Sequence, residues 1–376
     1  MVVKEGYKQT EIGIIPNDWN IKSINEAFEI CNNLRLPISE DVRKTMQGIY
    51  PYYGPTKIQD YINNYRVKGE FALIGEDGDH FLKWREIPMT QIAFGKFNVN
   101  NHAHLIKGKI NITLTSWFYY FFNNRDITQH LTRQGAGRYK LSKSTLVKIP
   151  CVIPSTLAEQ TVITNALFDA DKLITGLEKL ITKKRNIEQG AMQQLLQPKE
   201  GWEVRKLGEV VGKVTTGKLD ANAMKENGEF RFYTCAKDYY FIDEYAFDTE
   251  ALLVSGNGAN VGYIYYYKGK FNACQRTYVL TDFDIDVFYI KLFLDSYLKD
   301  RILTEVSAGN TPYIKMDTIT DMTIHFPKSA EEQTRIAAIL SDMDAELTAL
   351  EQKLEKYKKI KLGMMQELLT GKTRLV

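Results

Sequence analysis

LAEQTVITNALFDAD, residues 157–171, lies over AEEQTRIAAILSDMD, residues 330–344, without a gap at an offset of 173. The offset persists. Thr175-Gly176-Leu177-Glu178 falls on Thr348-Ala349-Leu350-Glu351, and Gly190-Ala191-Met192-Gln193 falls on Gly363-Met364-Met365-Gln366. Ile187 matches Ile360, and Leu195-Leu196 matches Leu368-Leu369. Working outward, the regions before these blocks correspond more loosely. FALIGEDG (71–78) lies over ALLVSGNG (251–258), QGIYPYY (47–53) over NGEFRFY (227–233), and Trp19-Asn20-Ile21-Lys22 over Trp202-Glu203-Val204-Arg205. GKFN occurs at 95–98 and again at 269–272. A whole unit has been written twice, and that fixes the order in which everything else is read.

The repeated blocks predict long helices. Ile163, Leu167, Ala170, Ile174, Leu177 and Ile181 alternate steps of four and three, and Ile336, Leu340, Met343, Leu347, Leu350, Leu354 and Tyr357 do the same, continued by Met364 and Leu368. Pro154 and Pro327 precede these runs, and Pro198 and Gly371 close them. Some 40 residues at 1.5 Å each make a rod of about 60 Å. So narrow a rod cannot bury its seam within a small domain, and the second copy supplies its partner. Two related helices packing through the same positions obey a pseudo-twofold axis and run antiparallel.

The rest of each unit is rich in short β-type runs such as EFALI, YIYYY and RTYVL, punctuated by Gly, Asn and Pro, with short helices expected around 116–124 and 286–298. The expected fold is therefore α+β: two globular α+β domains (1–152 and 199–325) separated by two long helices (153–198 and 326–376) in an antiparallel coiled coil. Its symmetry is cyclic. Helix one leads through QPKEG into Trp202, whereas the continuation of helix two, after LLTGKTRLV, is found in Ile15-Pro16-Asn17-Asp18 leading to Trp19. The N- and C-terminal segments are expected side by side.

Composition sets the class. The 376 residues are 44% hydrophobic and 25% charged, an ordinary globular balance. No run approaches the roughly 18 apolar residues of a membrane span, and MVVKEGYKQT lacks a signal-peptide core, so a cytoplasmic protein without a membrane association is expected. Cys31, Cys151, Cys235 and Cys274 are scattered with no CxxC pair, which suits reduced thiols better than a disulfide framework or a zinc site. The net charge of +3 is uneven: residues 1–150 carry 20 Lys/Arg against 14 Asp/Glu, and 201–326 carry 14 against 18. Any phosphate-facing surface must then be a local patch.

Catalytic readings fail on context. Gly256-Asn257-Gly258-Ala259-Asn260-Val261-Gly262 is followed by strand-like YIYYY rather than the helix a dinucleotide loop needs. His102-Ala103-His104 has no third metal ligand nearby. Glu76-Asp77-Gly78-Asp79 with Lys83 could suggest a metal nuclease, but its counterpart Gly256-Asn257-Gly258-Ala259 has no acid, so it reads as a polar turn. There is no Asn-Pro-Pro-Tyr/Phe motif and no P-loop lysine pattern. A chain with no catalytic activity and no cofactor of its own is expected. Duplicated domains at a fixed separation could touch two sites on one face of a B-DNA duplex, which repeats in about 34 Å. The second reading is a protein–protein adaptor with two binding domains.

The blocks P-x-x-x-x-E-Q-x-x-I, each followed by a long helix ending in MQQLL or MQELLTGKTRL, resemble the specificity subunits of Type I restriction–modification systems. So do Trp-x-[Ile/Val]-[Lys/Arg] at the start of each unit and SGNGANVGYIYYYKGKFNACQRTYVL at 255–280. The resemblance implies two target recognition domains, each reading half of a split double-stranded DNA target, and a coiled coil that sets the spacer. It also implies docking of methyltransferase and restriction subunits, which would carry S-adenosylmethionine, ATP and Mg.

Base edges need donors and acceptors and phosphates need cations, so loops presenting such side chains are the candidates. In unit one these are Arg133, Arg138, Tyr139 and Lys140 in RQGAGRYK, and in unit two Asn310, Tyr313 and Lys315 in SAGNTPYIK. Lys57, Lys218, Lys96, Lys270, His102 and Arg276 join them. GKFN itself reads either as a β-turn that sets register or as a phosphate contact. Met192, Leu195 and Leu196, with Met365, Leu368 and Leu369, put apolar residues around more of each helix than one seam covers, the mark of a partner interface.

Overall fold

Six strands of the first unit build one sheet. The computed structural model describes residues 5–123, 125–134, 138–305 and 313–375. The strands are β1 (Phe28–Ile30), β2 (Gln47–Tyr53), β3 (Ile58–Ile62), β4 (Val67–Gly75), β5 (Thr90–Val99) and β6 (Ala103–Gly108), followed by helix α1 (Thr115–Asn123) and the long helix α2 (Leu157–Leu195). The order across the sheet is β1-β6-β4-β5-β2-β3, all antiparallel except β5 beside β2. The second unit repeats this plan with β7 (Val211–Thr216), β8 (Phe230–Tyr233), β9 (Tyr240–Ile242), β10 (Phe247–Ser255), β11 (Ile264–Ala273) and β12 (Thr277–Phe283), then α3 (Val287–Glu305) and α4 (Ala330–Leu368). Its order is β7-β12-β10-β11-β8-β9, with β8 and β11 parallel. The chain folds as two compact units, residues 1–178 with 353–376 and residues 179–352, so both long helices contribute to each. The α+β class and the two sheet-rich units are as the repeat implies.

The sheets curl, and glycine permits it. Phe97 pairs with Val67 at the start of β4, while Ala103 pairs with Gly75 at its end. Nine extended residues span about 30 Å, yet the four-residue step from Val99 to Ala103 reaches only about 14 Å. The strands must bend until their ends meet, and Phe97, Val99, Ala103 and Leu105 do share one inner core with Phe71 and Leu73. The bend falls where Gly69 pairs with Gly95, at φ 138° and 76°, which L side chains rarely adopt. GKFN is thus a strand and not a turn: Phe97 and Phe271 are core, and the buried Asn98 and Asn272 donate through Nδ2 to the carbonyls of Asn64 (2.7 Å) and Glu244 (3.0 Å). The outer face of each sheet packs on its helix. Ala72, Ile74 and Ile106 meet Trp117, Phe118 and Phe121 of α1, and Leu252, Val254 and Leu280 meet Ile290 and Leu294 of α3.

Thr156 and Ser329 start the long helices, their hydroxyls accepting from the N–H of Glu159 and Glu332. The glutamine of each EQ pair is buried and used the same way twice. Gln160 accepts from Leu114 N–H (3.0 Å) just before α1 and donates to the carbonyls of Pro154 and Ile112; Gln333 accepts from Asp286 N–H (2.9 Å) just before α3 and donates to Pro327 O (2.8 Å). Inside the first unit the helical stretches run antiparallel, with Asp171 on Lys361 (2.5 Å) and Glu178 on Lys358 (3.5 Å). Inside the second, Arg185 meets Glu351 (2.5 Å) while Glu188 and Met192 line a groove with Asp344 and Leu340. Burial along the seams is uneven. Ile163, Leu167, Ile336 and Leu340 are fully enclosed by the sheet domains, whereas Leu350 is only half-buried. Leu167→Ala or Leu340→Ala should cost roughly 2–5 kcal/mol in urea denaturation, and Leu350→Ala distinctly less.

The end of each long helix sits beside the first tryptophan of its own unit. Leu195 and Leu196 pack in one core with Trp202, and Leu368 and Leu369 in one with Trp19. Gly371, at φ 71°, closes α4 where a Cβ would meet Pro16 at 2.5 Å. Tyr7 Oη donates to Gly371 O (3.0 Å), and Arg374 grips Asp18 through two bonds of 3.0 Å. The N- and C-terminal segments are neighbours.

Candidate nucleic-acid interface

In the first unit, a polar junction forms where β4 ends. Glu76 and Asp77 follow the buried Gly75, and three backbone bonds fix them: Glu76 N–H to His102 O (2.8 Å), Gly78 N–H to Tyr139 O (3.0 Å), and Leu141 N–H to Glu76 O (2.7 Å). Basic side chains then converge on the two acids. Arg35 Nη1 lies 2.6 Å from Glu76 and also donates to Asn101 O (2.8 Å), Lys140 Nζ is 3.7 Å from Glu76, and His102 Nδ1 is 2.8 Å from Asp77. Arg133 and Tyr139 sit opposite each other on a two-stranded ribbon, the guanidinium donating to the phenol oxygen (2.8 Å) and stacking on its ring, and Arg138 is exposed beside them. Lys57 is exposed on the β2–β3 loop, which is tied to the same place by Asn100: its amide donates to Gln59 (3.0 Å) and its Oδ1 accepts from His102 N–H (2.9 Å).

His104, two residues on, is no metal ligand. It is buried between Asn32, whose amide donates to its Nδ1 (2.8 Å), and Leu141, whose carbonyl accepts from Nε2 (2.7 Å). Burial lowers its pKa and keeps it neutral, so it serves to pin Lys140 and its neighbours to β6.

The second unit builds the same junction from different side chains. Gly256 N–H donates to Arg276 O (2.8 Å), Ile314 N–H to Gly256 O (2.9 Å), and Asn257 bridges Tyr313 as Asp77 bridges Lys140. Tyr313 therefore occupies the place of Lys140, not that of Tyr139. Arg276 and Lys218 are exposed, and Leu219 lies along Cys274 and Gln275. Lys315 is exposed at the start of a short helix, Met316–Thr320. Asn310 lies outside the described residues. No acid stands at 256 or 257, so the cations of this unit lack the neutralising pair that Glu76 and Asp77 provide in the first.

Two residues join the candidates. Arg35 corresponds to Lys218, since the offset of 183 that relates Trp19 to Trp202 carries on to them. Lys237 corresponds to Lys57 at the offset of 180 that relates FALIGEDG to ALLVSGNG. Carrying those offsets forward would have found both. Lys96 and Lys270 stand apart from the junctions, each over a tyrosine: Lys96 over Tyr65 (4.6 Å) beside Tyr50, and Lys270 over Tyr245 (4.7 Å) beside Phe230.

The expected partner residues are mostly spoken for. Leu196, Met365, Leu368 and Leu369 are buried within the cores of their own units. Leu195 and Met192 are half-buried against the second. The surplus apolar surface of each helix end is covered by the sheet domain wrapped on it. Grooves stay open at Met192, of about 780 Å³ with Glu188, Asp295 and Asp344, and at Met365, of about 300 Å³ with Arg85 and Lys361 and of about 430 Å³ with Leu369 and Arg125.

Comparison with known proteins follows the same division. The Type I restriction modification DNA specificity domain matches residues 16–189 and again 199–361. The chain is 40% identical over 170 residues to the Type I restriction enzyme EcoDI specificity subunit of Escherichia coli, covering 45% of this chain and 37% of that one. It is 28% identical over 347 residues to a putative Type I restriction enzyme specificity subunit of Haemophilus influenzae, covering 86% and 87% of the two. In fold it is similar to the crystal structure of the S subunit of a Type I restriction–modification system from M. genitalium, with a TM-score of 0.73 over 98% of both chains at 17% identity. With the domain present once in each half, the chain belongs to the Type I restriction modification DNA specificity family.

Proposed function

We propose that the chain is the DNA sequence-recognition subunit of a Type I restriction–modification complex, non-catalytic in itself, with each unit reading one half of a bipartite target. One observation carries the reading: the junction at the end of the central strand is built twice on the same backbone bonds, yet with different polar side chains. Arg35, Lys57, His102, Arg133, Arg138 and Lys140 stand in one copy, and Lys218, Lys237, Arg276, Tyr313 and Lys315 in the other. A common scaffold with variable donors is what two readers of two different half-sites need. The long helices would set the spacer, and the grooves at Met192 and Met365 would receive methyltransferase subunits. S-adenosylmethionine, ATP and Mg belong on those partners and on restriction subunits, and the complex acts on DNA in the cytoplasm.

Arg276→Ala should relax discrimination in one half-site only, by roughly 1–3 kcal/mol per base pair lost. Lys57→Ala, if it faces phosphate, should weaken binding across all sequences and reduce the salt slope by about one. Gel shifts at several salt concentrations, with the methyltransferase subunit present, separate the two. Arg276→Ala binding both half-sites as the parent does would remove the second unit's loop from the reading surface.

A further inference from the structure

The bend where Gly69 pairs with Gly95 sets two lysines side by side. Lys68 on β4 is the register partner of Lys96 on β5, and both are exposed. Residues directly opposite each other have Cβ atoms about 5 Å apart, and like charges there destabilise a sheet. Among the described residues neither ammonium is paired with a carboxylate. Lys96 is braced by two rings instead, its Nζ 4.6 Å from the centre of Tyr65 and 5.9 Å from that of Tyr50, and the rings are 5.1 Å from each other. Arg66, also exposed, is anchored by one bond from Nη2 to Asn33 O (3.1 Å). Glu70, two residues beyond Lys68, stands across from Phe94 rather than from either lysine.

The second unit keeps the brace and reverses the charge. Lys270 sits 4.7 Å from the centre of Tyr245, beside Phe230, but its register partner is Asp248. At the offset of 180, Asn63-Asn64-Tyr65-Arg66-Val67-Lys68 becomes Asp243-Glu244-Tyr245-Ala246-Phe247-Asp248. Arg66 and Lys68 give the first stretch a charge of +2, whereas Asp243, Glu244 and Asp248 give the second −3. All of these side chains except Val67 and Phe247 are exposed. A solvated turn has no need of a repelling lysine pair, and the copy shows that the fold accepts an acid in its place. The pair therefore answers to something outside the chain, and that something is anionic.

We propose that Lys68, Lys96 and Arg66 clamp the sugar–phosphate backbone flanking the half-site read by the first unit, and that the second unit leaves its own flank ungripped. The proposal rests on the reading of DNA by the first unit's junction. The reach agrees with it. Lys68 lies seven residues along β4 from Gly75, no more than about 23 Å of extended strand. DNA advances about 3.4 Å per base pair, so the clamp meets phosphates within about seven base pairs of the bases at the junction. A phosphate seated between two ammoniums is attracted by both and releases its condensed counterions. Lys96, already braced on two rings, has less side-chain freedom to lose on binding. Such a contact holds every sequence equally, so it sets affinity and position without adding to the half-site's code.

The test measures binding of the full chain with its methyltransferase subunits to the target and to an unrelated duplex across a range of salt concentrations. Lys68→Ala with Lys96→Ala should reduce the slope of log affinity against log salt by about 1.8, since each phosphate contact contributes about 0.9. That is a loss of roughly 30-fold at about 0.15 M salt, equal for both duplexes, with the methylated sequence unchanged. Phosphate ethylation should interfere with binding beyond the first unit's half-site and not beyond the second's, and the double variant should abolish that interference. Lys68→Asp puts an acid across from Lys96, so it should keep or raise the urea midpoint and still lose DNA affinity, which separates the clamp from a folding defect. Unchanged affinity and salt slope in the double variant, with bipartite methylation intact, overturns the clamp and leaves the sequence-recognition reading standing. Weakened copurification of the methyltransferase subunit, with DNA binding per complex unchanged, assigns the pair to an acidic protein surface and overturns the clamp as well. A parent complex without sequence-selective binding overturns both readings.

Discussion

Arg374→Met should destabilise the first unit by about 3 kcal/mol, and adding Glu159→Gln should recover most of that loss. Glu159 is 2% exposed, and it accepts from Trp19 Nε1 (3.2 Å) and from Arg374 Nη2 (2.9 Å) and Nε. Removing the guanidinium leaves a carboxylate buried with a single neutral donor. Breaking a buried pair in this way costs about 3–5 kcal/mol, and partial exposure of Arg374 places the effect at the lower end. Arg374 also holds Asp18, whose carboxyl lies below its ordinary 3.8 chiefly through that bond. The sign follows: a depressed carboxylate stabilises the fold above its ordinary pKa and loses that contribution as pH falls through the lowered one, so this arm weakens only under about pH 4. The second unit is a built-in control. Gly201 stands where Arg374 would fall at the offset of 173, and Glu332 is half-buried rather than sealed. Amide hydrogen exchange should therefore show protection lost around Trp19 and retained around Trp202; equal loss in both would mean that Arg374 acts by some other route.

Gln160→Leu should cost about 3 kcal/mol, and Gln333→Leu about 2 kcal/mol. Leucine fits the volume but leaves Leu114 N–H and the carbonyls of Ile112 and Pro154 without their partner in the first unit, and Asp286 N–H and Pro327 O in the second. Each buried group left unpaired costs about 1–3 kcal/mol. The two losses should add, because the residues belong to different units. Urea midpoints lowered by the equivalent of less than about 1 kcal/mol for Gln160→Leu would show that water replaces the amide and that the EQ pair has another purpose.

The long helices were legible because their period is a property of the residues themselves: Ile163, Leu167, Ile336 and Leu340 mark a buried stripe in any context. What covers the stripe was less legible. Met365, Leu368 and Leu369 look like surplus for a two-helix seam, since periodicity registers the helix and not the sheet domain that wraps its end. GKFN was ambiguous for a similar reason. Its glycine marks a special φ, but whether that φ belongs to a turn or to a bend within a strand depends on Gly69, which is 26 residues away in sequence. The reading loops were legible as chemistry and not as places. Lys57, Arg276 and Tyr313 were visible as donors, whereas Arg35 and Lys237 emerge only when each stretch is aligned at its own offset. The offset falls from 183 to 180 to 174 to 173 along the chain as loops of the first unit prove longer than their copies. The Glu76–Asp77 pair reads as a polar turn in sequence, and only the fold shows that it gathers Arg35, His102 and Lys140.

The most direct test of two independent readers exchanges residues 200–326 for the same segment of a relative with a different target. The chimera is expressed with the methyltransferase subunits, and the host's methylated DNA is sequenced by single-molecule kinetics. One half of the methylated sequence should change and the other should stay as it was. A target in which both halves change together would contradict the assignment of one half-site to each unit.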